Sequence, residues 1–241
     1  MLTGEIIIII TAVVAGVISG VTGTGSSLLL LPLLVQAYGP KPAIQVMALA
    51  AVIGNLSRFF VWWRQVDWKV TLVYSVTGVP CAAIGAYLLL IFQSTLIDLL
   101  LGVFFLCVVP LKRLMDHFEY KISLPQVGFC GGIIGILTGI VMSTGPLSVP
   151  VFVSYGLRKG AFLGSEAASA LLLYSSKITT FAAQGALPMT IVIKGVLLGL
   201  GISVGTVMSK HLVFRLSEKV STLLIDIILF ISGSFFIIKS I

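Results

Sequence analysis

Charged residues are scarce in this sequence. Only 10% of its 241 residues are Asp, Glu, Lys or Arg, whereas 58% are hydrophobic, and the mean hydropathy is +1.17. A soluble globular domain carries about 25% charged residues, so this chain lacks the polar surface that would coat a water-soluble body. The same shortage, combined with high hydrophobicity, excludes intrinsic disorder. The composition therefore predicts a polytopic membrane protein with room for about eight to ten helical crossings.

Alternation of polar and apolar residues is also missing. Runs such as Ile6–Ile10 and Leu28–Leu31 are continuously apolar, whereas the strands of a transmembrane barrel alternate. A helical bundle is the other structure that satisfies every backbone polar group inside a bilayer. We therefore predict an all-α protein.

Side chains for metal, redox and acid–base chemistry are few. Cys81, Cys107 and Cys130 have no CxxC spacing, and His117 and His211 share no spacing with carboxylates or thiols. We therefore expect no metal and no cofactor. With no histidine inside an apolar segment to act as a base, an enzyme is also disfavoured. The net charge of +7 is typical of basic cytoplasmic loops and, without interleaved aromatic residues, indicates no nucleic-acid partner.

Two apolar segments are too long for single crossings. Residues 5–38 would form a helix of about 50 Å against a hydrocarbon core of about 30 Å, and residues 125–157 are similar. Each segment has a middle rich in Gly, Ser and Thr, at 20–27 and 139–148, where a helix breaks. We call these middles the first and second tips. Each segment is predicted to be a hairpin with arms of about 13–15 residues, or about 20 Å.

The chain repeats with a shift of 119 residues. Such repeats are common in secondary transporters. The pattern predicts a first membrane repeat at 1–111, a cytoplasmic linker at 112–124 and a second repeat at 125–241. The matching pairs are Gly16 and Gly135, Gly20 and Gly139, Ser57 and Ser176, Arg58 and Lys177, and Gln65 and Gln184.

The loop cations distinguish two topologies. If both long segments cross once, the cations divide six against six. If both are hairpins, ten lie on one side and only Lys41 and Lys239 on the other. The positive-inside rule favours the hairpins, which give two inverted five-segment repeats, each starting with a broken helix, in the inner (plasma) membrane with both termini outside. The ten cytoplasmic cations are then Arg64, Lys69, Lys112, Arg113, Lys121, Arg158, Lys159, Lys210, Arg215 and Lys219.

The tips and the buried cations suggest an anion site. A helix that restarts after a break presents unpaired N–H groups and a partial positive charge. Arg58 and Lys177 lie inside apolar segments at equivalent positions, where a cation is paired, functional or snorkelling. Lys194 has Ser75 at its repeat position and carries less weight. The predicted substrate-binding residues are Thr22, Thr24, Gly25, Ser26, Ser27, Asn55, Ser57, Arg58, Ser143, Thr144, Gly145, Ser148, Ser176 and Lys177.

Two further residue roles complete the predicted site. Glu166 lies within an apolar segment and is the candidate for proton coupling. Gly16 and Gly135, each followed by a second glycine four positions on, are predicted to mediate close helix packing instead of binding. The same small-residue packing is the alternative role for the tips themselves.

The tips and their flanks share a duplicated signature. The first reads Gly16-x3-Gly20-x2-Gly23-x-Gly25-Ser26-Ser27-x4-Pro32, and the second reads Gly135-x3-Gly139-x5-Gly145-Pro146-Leu147-x2-Pro150. This signature resembles that of the TauE/SafE-type sulfite exporters, also called 4-toluene sulfonate uptake permeases (TSUP). The Ser26-Ser27 pair stands where that family usually has Gly-Gly. The resemblance implies transport of sulfite, sulfoacetate, thiosulfate or related sulfonates.

These observations predict a secondary transporter of small sulfur-containing anions that works by alternating access. The alternatives are an anion channel and a transporter of another small carboxylate or oxyanion. The polar residues cluster in mid-segment and do not line a continuous path, which favours the carrier. The expected partners are the anionic substrate, the lipid bilayer and a proton or other coupling ion, and a homodimer is left open.

The topology predicts opposite locations for two reporter fusions. A reporter fused after residue 66 should report the cytoplasm, and one fused after residue 186 should report the outside, because three full crossings and one hairpin that returns to its own side separate them. Paired alkaline phosphatase and green fluorescent protein fusions measure this directly. Eight single crossings would instead place both reporters on the same side.

Overall fold

The chain folds into a bundle of α-helices, and its computed structural model describes residues 2–22, 25–117, 121–141, 145–212, 230–231 and 233–238. Within these residues there is no strand, which agrees with the all-α prediction. Residues 230–231 and 233–238 are helical too. The longer helices are α1 (Leu2–Thr22), α2 (Ser26–Tyr38), α3 (Pro40–Trp62), α4 (Trp68–Ile91), α5 (Ser94–His117), α6 (Leu124–Ile140), α7 (Gly145–Tyr155), α8 (Lys159–Ala183) and α9 (Met189–Leu212).

Three of the described helical stretches are long and apolar enough to cross a membrane. They are Pro40–Gln65, which includes a short 3-10 turn after α3, Trp68–Ile91 and Met189–Ser209. Shorter apolar helical stretches lie at Ile7–Gly20, Ser26–Tyr38, Ser94–Cys107 and Leu124–Ile140. Helix α5 continues to His117 and therefore extends into the predicted linker at 112–124.

Both long segments fold back on themselves. The N–H of Ile122, just before α6, donates to the carbonyl oxygen of Ser154 near the end of α7, at 3.2 Å. Likewise Ile8 near the start of α1 and Tyr38 at the end of α2 line one cavity. Each segment therefore returns to the end of the bundle where it began, as the hairpin arrangement predicts.

The first arm of each hairpin is longer than predicted. Helix α1 has 21 residues and α6 has 17, against 13 in α2 and 11 in α7. The expected arms of 13–15 residues assumed a break at the first glycines of each tip. The helices instead continue through Gly20 and Gly139, because these glycines lie in tight helix contacts that hold the helical backbone. At about 1.5 Å per residue, α1 is about 31 Å long.

Two connections that single crossings would separate lie side by side. Gly160, at the start of α8, packs against the side chains of Trp62 and Gln65 at the end of α3. Nearby, the Asp67 N–H donates to Ser165 Oγ at 2.8 Å. The α3–α4 and α7–α8 connections therefore share one end of the bundle.

Helix pairing follows one pattern in both halves. The first arm of each hairpin packs on a long helix of the other half, α1 on α9 and α6 on α4. Helix α3 packs on α8 and α9, while α8 packs on α3 and α4. The two halves are thus interlocked, and the residues between α3 and α8 lie where they meet.

Glycines allow the closest of these contacts. Gly16 lies against the backbone of Ile202 on α9, and Gly135 lies against the backbone of Gly78 on α4. Their predicted packing role is therefore confirmed. Between two helices in lipid there is no hydrophobic driving force, so close backbone approach of this kind contributes much of the association.

Alanine at Gly139 should destabilise the α4–α6 contact. Its methyl carbon would lie 2.5 Å from Gly85 Cα and 2.6 Å from the Ala82 carbonyl oxygen, so the backbones must separate. Overpacking of this kind costs about 1–3 kcal/mol. We expect a lower unfolding temperature for G139A in detergent, measured by a thermal unfolding assay.

Gly132 on the same helix provides the matched control. Its added methyl carbon would be 3.7 Å from Cys81 Sγ, an ordinary contact. Because alanine favours helix by about 1 kcal/mol over glycine, G132A should unfold at an equal or slightly higher temperature. Equal losses in the two variants would contradict the packing explanation.

Candidate functional site

A buried ion pair joins the two halves of the chain. Arg58 on α3 is 4% exposed and Glu166 on α8 is 5% exposed, and Arg58 Nη2 donates to Glu166 Oε2. The same nitrogen donates to Asn55 Oδ1 at 2.6 Å, one turn earlier on α3. Arg58 therefore does not snorkel to the membrane edge, so that alternative is wrong for this residue. Its charge is held inside the bundle by a carboxylate and oriented by an amide.

The carboxylate of Glu166 also contacts the start of α7. Ser148 Oγ lies 3.4 Å from Glu166 Oε1 and 3.1 Å from the Gly145 carbonyl oxygen. Ser148 and Gly145 are both in the first turn of α7, whose N–H groups and partial positive charge favour an anion. Glu166 thus occupies surroundings of the kind predicted for a bound oxyanion: a guanidinium, a hydroxyl and a helix N-terminus.

Lys177 lies on the other side of the second tip, beside the end of α6. It is fully buried on α8, and its Nζ donates to the carbonyl oxygen of Thr138 at 2.8 Å. Thr138 is in the last turn of α6, at the negative end of the helix dipole, where a cation is favourable. Phe181, one turn further along α8, places its ring centroid 5.6 Å from the ammonium. Snorkelling is therefore wrong for Lys177 as well.

Helix α8 consequently complements both broken ends of the second hairpin. Its cation faces the carbonyl end of α6 and its anion faces the amide end of α7. The two side chains are 11 positions apart, close to three helical turns, so they lie on one face of α8. The spacing places one charge at each end of the break.

A small polar cavity lies within this arrangement. Its volume is about 20 Å³, enough for about one water molecule. An oxyanion with several heavy atoms would enter only if the surrounding helices moved apart. Hydroxyls and one carboxylate provide much of its lining, from Tyr74, Thr138, Ser148, Glu166, Ser169 and Tyr174.

Two of the predicted serines bond to backbone carbonyls. Ser57 Oγ donates to the carbonyl oxygen of Ile53 at 3.3 Å, within α3. Ser176 Oγ donates to that of Val79 on α4 at 2.9 Å. The Ser57 hydroxyl therefore bonds within its own helix, and the Ser176 hydroxyl joins α8 to α4. Neither hydroxyl lines the polar cavity formed by described residues.

The first tip is not part of the polar cavity among the residues that the structure describes. Gly25 has φ = 113°, a left-handed conformation that favours glycine, and it precedes the first residues of α2, Ser26 and Ser27. Thr22 ends α1 with its side chain outside the described part of the chain. Three further predicted residues, Thr24, Ser143 and Thr144, also lie outside the described residues.

Sequence reasoning missed four hydroxyl-bearing residues of the cavity: Tyr74, Thr138, Ser169 and Tyr174. Two of them carry a signal that could have been used. Tyr174 is the repeat partner of Asn55 under the 119-residue shift, and Thr138 directly precedes the second tip. No sequence pattern marks Tyr74, which reaches the cavity only because α4 packs against α6.

Comparison with known proteins places the chain in one family. A family model described as Sulfite exporter TauE/SafE matches residues 8–236, which include most of the described residues. The comparisons with curated proteins and with solved structures find no match.

Removing one partner of the ion pair should destabilise the protein more than replacing both partners with methionine. In R58M or E166M one charge stays buried without its partner, a loss of about 3–5 kcal/mol for buried pairs. In the double variant both charges are gone, so we expect a large part of that stability to return. Thermal unfolding of the four proteins in one detergent provides the double-mutant cycle. Additive losses would show that the two side chains do not stabilise each other.

Proposed function

Because the chain belongs to the TauE/SafE sulfite exporter family, a family of membrane transporters, we propose that it carries small sulfur-containing anions across the inner membrane. The proposed substrates are sulfite, sulfoacetate or another organosulfonate. The observation that carries the proposal is the buried cluster of Arg58, Glu166 and Ser148 at the first turn of α7. Lys177 adds a second interior cation at the end of α6.

The donors of this cluster suit a sulfite or sulfonate group. A guanidinium presents several N–H donors in a planar fork, and charge-assisted bonds to oxyanions are roughly twice as strong as neutral ones. A serine hydroxyl and a helix N-terminus add donors without adding charge. In this proposal Glu166 is a tethered anion that occupies the substrate's place, and the substrate replaces its carboxylate at Arg58 and Ser148.

The packing supports a carrier over a channel. A cavity of about 20 Å³ is closed to an oxyanion, whereas a channel needs a continuous polar path. The exchanged packing of α1 on α9 and α6 on α4 supports the inverted repeats that the sequence predicts. Rocking of one repeat against the other would open the cavity to each side in turn. We place the α3–α4 and α7–α8 connections in the cytoplasm and both termini outside.

Proton coupling follows from the tethered-anion role. Protonation of Glu166 removes the charge that competes with substrate for Arg58. The titratable groups around it are Arg58 from α3, Tyr74 from α4 and Tyr174 on α8, and α7 contributes the neutral Ser148. Tyrosine carries no charge near neutral pH, so the proton on Glu166 decides the net charge of the empty site. Substrate and proton would therefore bind together.

Loss of either interior cation should abolish transport. We expect R58A and K177A to reach the membrane yet reduce sulfite uptake into proteoliposomes more than tenfold, because an anion then loses one of the two interior cations that offset its charge. R64A removes an exposed cation and should transport normally. Saturable uptake with counterflow is expected of a carrier and not of a channel. Full activity of both cation variants would remove Arg58 and Lys177 from the mechanism.

The substrate itself can be identified by ligand-dependent stability. Sulfite, sulfoacetate, thiosulfate and taurine are added in turn to the purified protein, and a true ligand raises its unfolding temperature by mass action. R58A should lose that shift while R64A keeps it. A shift of equal size in R58A would place the ligand elsewhere.

Replacing Glu166 should uncouple transport from protons. The amide in E166Q keeps hydrogen bonds but never competes as an anion, so exchange of labelled for unlabelled substrate should continue. Uptake driven by a pH gradient should disappear. D67N removes an acidic group but keeps the cap at the start of α4, so its coupling should be normal. Accumulation by E166Q under a pH gradient would contradict the coupling role.

A further inference from the structure

A second cavity, of about 260 Å³, lies between α1, α2, α3 and α9 and shares no residue with the polar cavity. Its floor is buried and apolar. Its rim consists of side chains that are about half exposed, between 42% and 53%, so the cavity opens sideways. In a protein that spans a membrane, such an opening faces lipid. The floor residues are Leu34, Val46 and Leu198, and the rim residues are Ile9, Ile193 and Leu197.

One end of this cavity is polar. Lys194 Nζ lies 3.8 Å from the ring centroid of Tyr38, and Thr190 lies one helical turn before Lys194 on α9. Tyr38 is the last residue of α2, and Thr190 is the second residue of α9. Tyr38 and Thr190 therefore lie at helix ends and Lys194 lies one turn inside α9, whereas Leu34 and Leu198 lie one turn deeper than Tyr38 and Lys194.

We propose that this cavity binds an anionic phospholipid. One acyl chain would lie along the apolar floor, and the headgroup phosphate would contact the Lys194 ammonium and the Thr190 hydroxyl. The order of surfaces supports this occupant, because a cation near the helix ends followed by an apolar groove matches a lipid from headgroup to chain. The positive charge selects an anionic headgroup over a zwitterionic one.

This lipid site is independent of the proposed transport chemistry. It needs only the membrane location, and none of its lining residues belongs to the cluster around Glu166. The competing explanation is that Lys194 simply reaches the membrane surface and rests on Tyr38, as cations over aromatic rings do. Lipid binding measured with the purified protein distinguishes the two.

The experiment uses the full chain, stripped of lipid in a neutral detergent. Phosphatidylglycerol and phosphatidylcholine with identical acyl chains are titrated, with thermal unfolding and native mass spectrometry as readouts. Glycerol 3-phosphate is a third probe that carries the charged group without a chain. We expect phosphatidylglycerol to bind and stabilise the protein more than phosphatidylcholine, and glycerol 3-phosphate to have no effect.

The variants test the contribution of the Lys194 charge and that of the apolar groove separately. K194M should bind phosphatidylglycerol about five-fold more weakly, the effect of one cation at an anionic lipid surface, and K194R should retain binding. K69M removes an exposed cation near the opposite end of the bundle and should behave as wild type. L197W keeps the charge but narrows the groove, so it should also lose binding. Circular dichroism and elution volume verify the fold of each variant.

Several results would overturn the lipid site. Equal binding of the two lipids, unchanged binding by K194M, or an equal loss in K69M would remove Lys194 as a selective contact. Protection by glycerol 3-phosphate would indicate a site for free phosphate groups. If K194M unfolded at a lower temperature but bound phosphatidylglycerol normally, Lys194 would be a structural residue. If K194M failed to fold, wild type and L197W would test the site. A preference of wild type for phosphatidylglycerol that L197W loses would support it, and any other result would overturn it.

Discussion

The broken ends of the second hairpin impose the constraint on which the site depends. A helix end leaves carbonyl and amide groups without partners, and hydrocarbon offers no water to satisfy them. Here α8 supplies a cation to the end of α6 and an anion to the start of α7. The anion in turn requires Arg58, which ties α3 to the same place. Four helices are therefore positioned by the charges around one break.

Close backbone packing holds the framework around these charges. Gly135 and Gly139 bring α6 against α4, and Gly16 brings α1 against α9. Helix α7 differs from these helices. It has only 11 residues, and its contacts with α5, α6 and α8 are less extensive than those of α6 with α4 or of α1 with α9. In the proposed cycle, rocking of the repeats would separate the first turn of α7 from Glu166 and so open the cavity.

In the proposed repeats, the two halves share helix positions but not the chemistry of the side chains. Under the 119-residue shift, Glu166 corresponds to Met47 and Ser148 corresponds to Leu29. The helices equivalent to those around the polar cavity are α1, α2, α3 and α9, and they enclose the apolar cavity instead. The two cavities occupy different levels of these helix sets, because among the lining residues only Tyr74 and Ile193 correspond under that shift.

Local properties of the sequence determined a large part of the fold. The scarcity of charge required a helical membrane protein, and glycine, serine and threonine in the middle of two long apolar segments required hairpins. The same reasoning found Arg58, Lys177, Glu166 and Ser148, because a charge or hydroxyl inside an apolar run is conspicuous wherever it later packs. The arm lengths were misjudged, since helix contacts at Gly20 and Gly139 override the low helix propensity of glycine.

Only the tertiary structure decided which of these residues meet. Arg58 and Glu166 are 108 positions apart, and no spacing rule links side chains on two different helices. Tyr74 reaches the polar cavity through the packing of α4 on α6, and Lys194 meets Tyr38 because α9 and α2 both pack on α1 and α3. Helix existence depends on neighbouring residues along the chain, whereas a binding site depends on how each helix is rotated and packed.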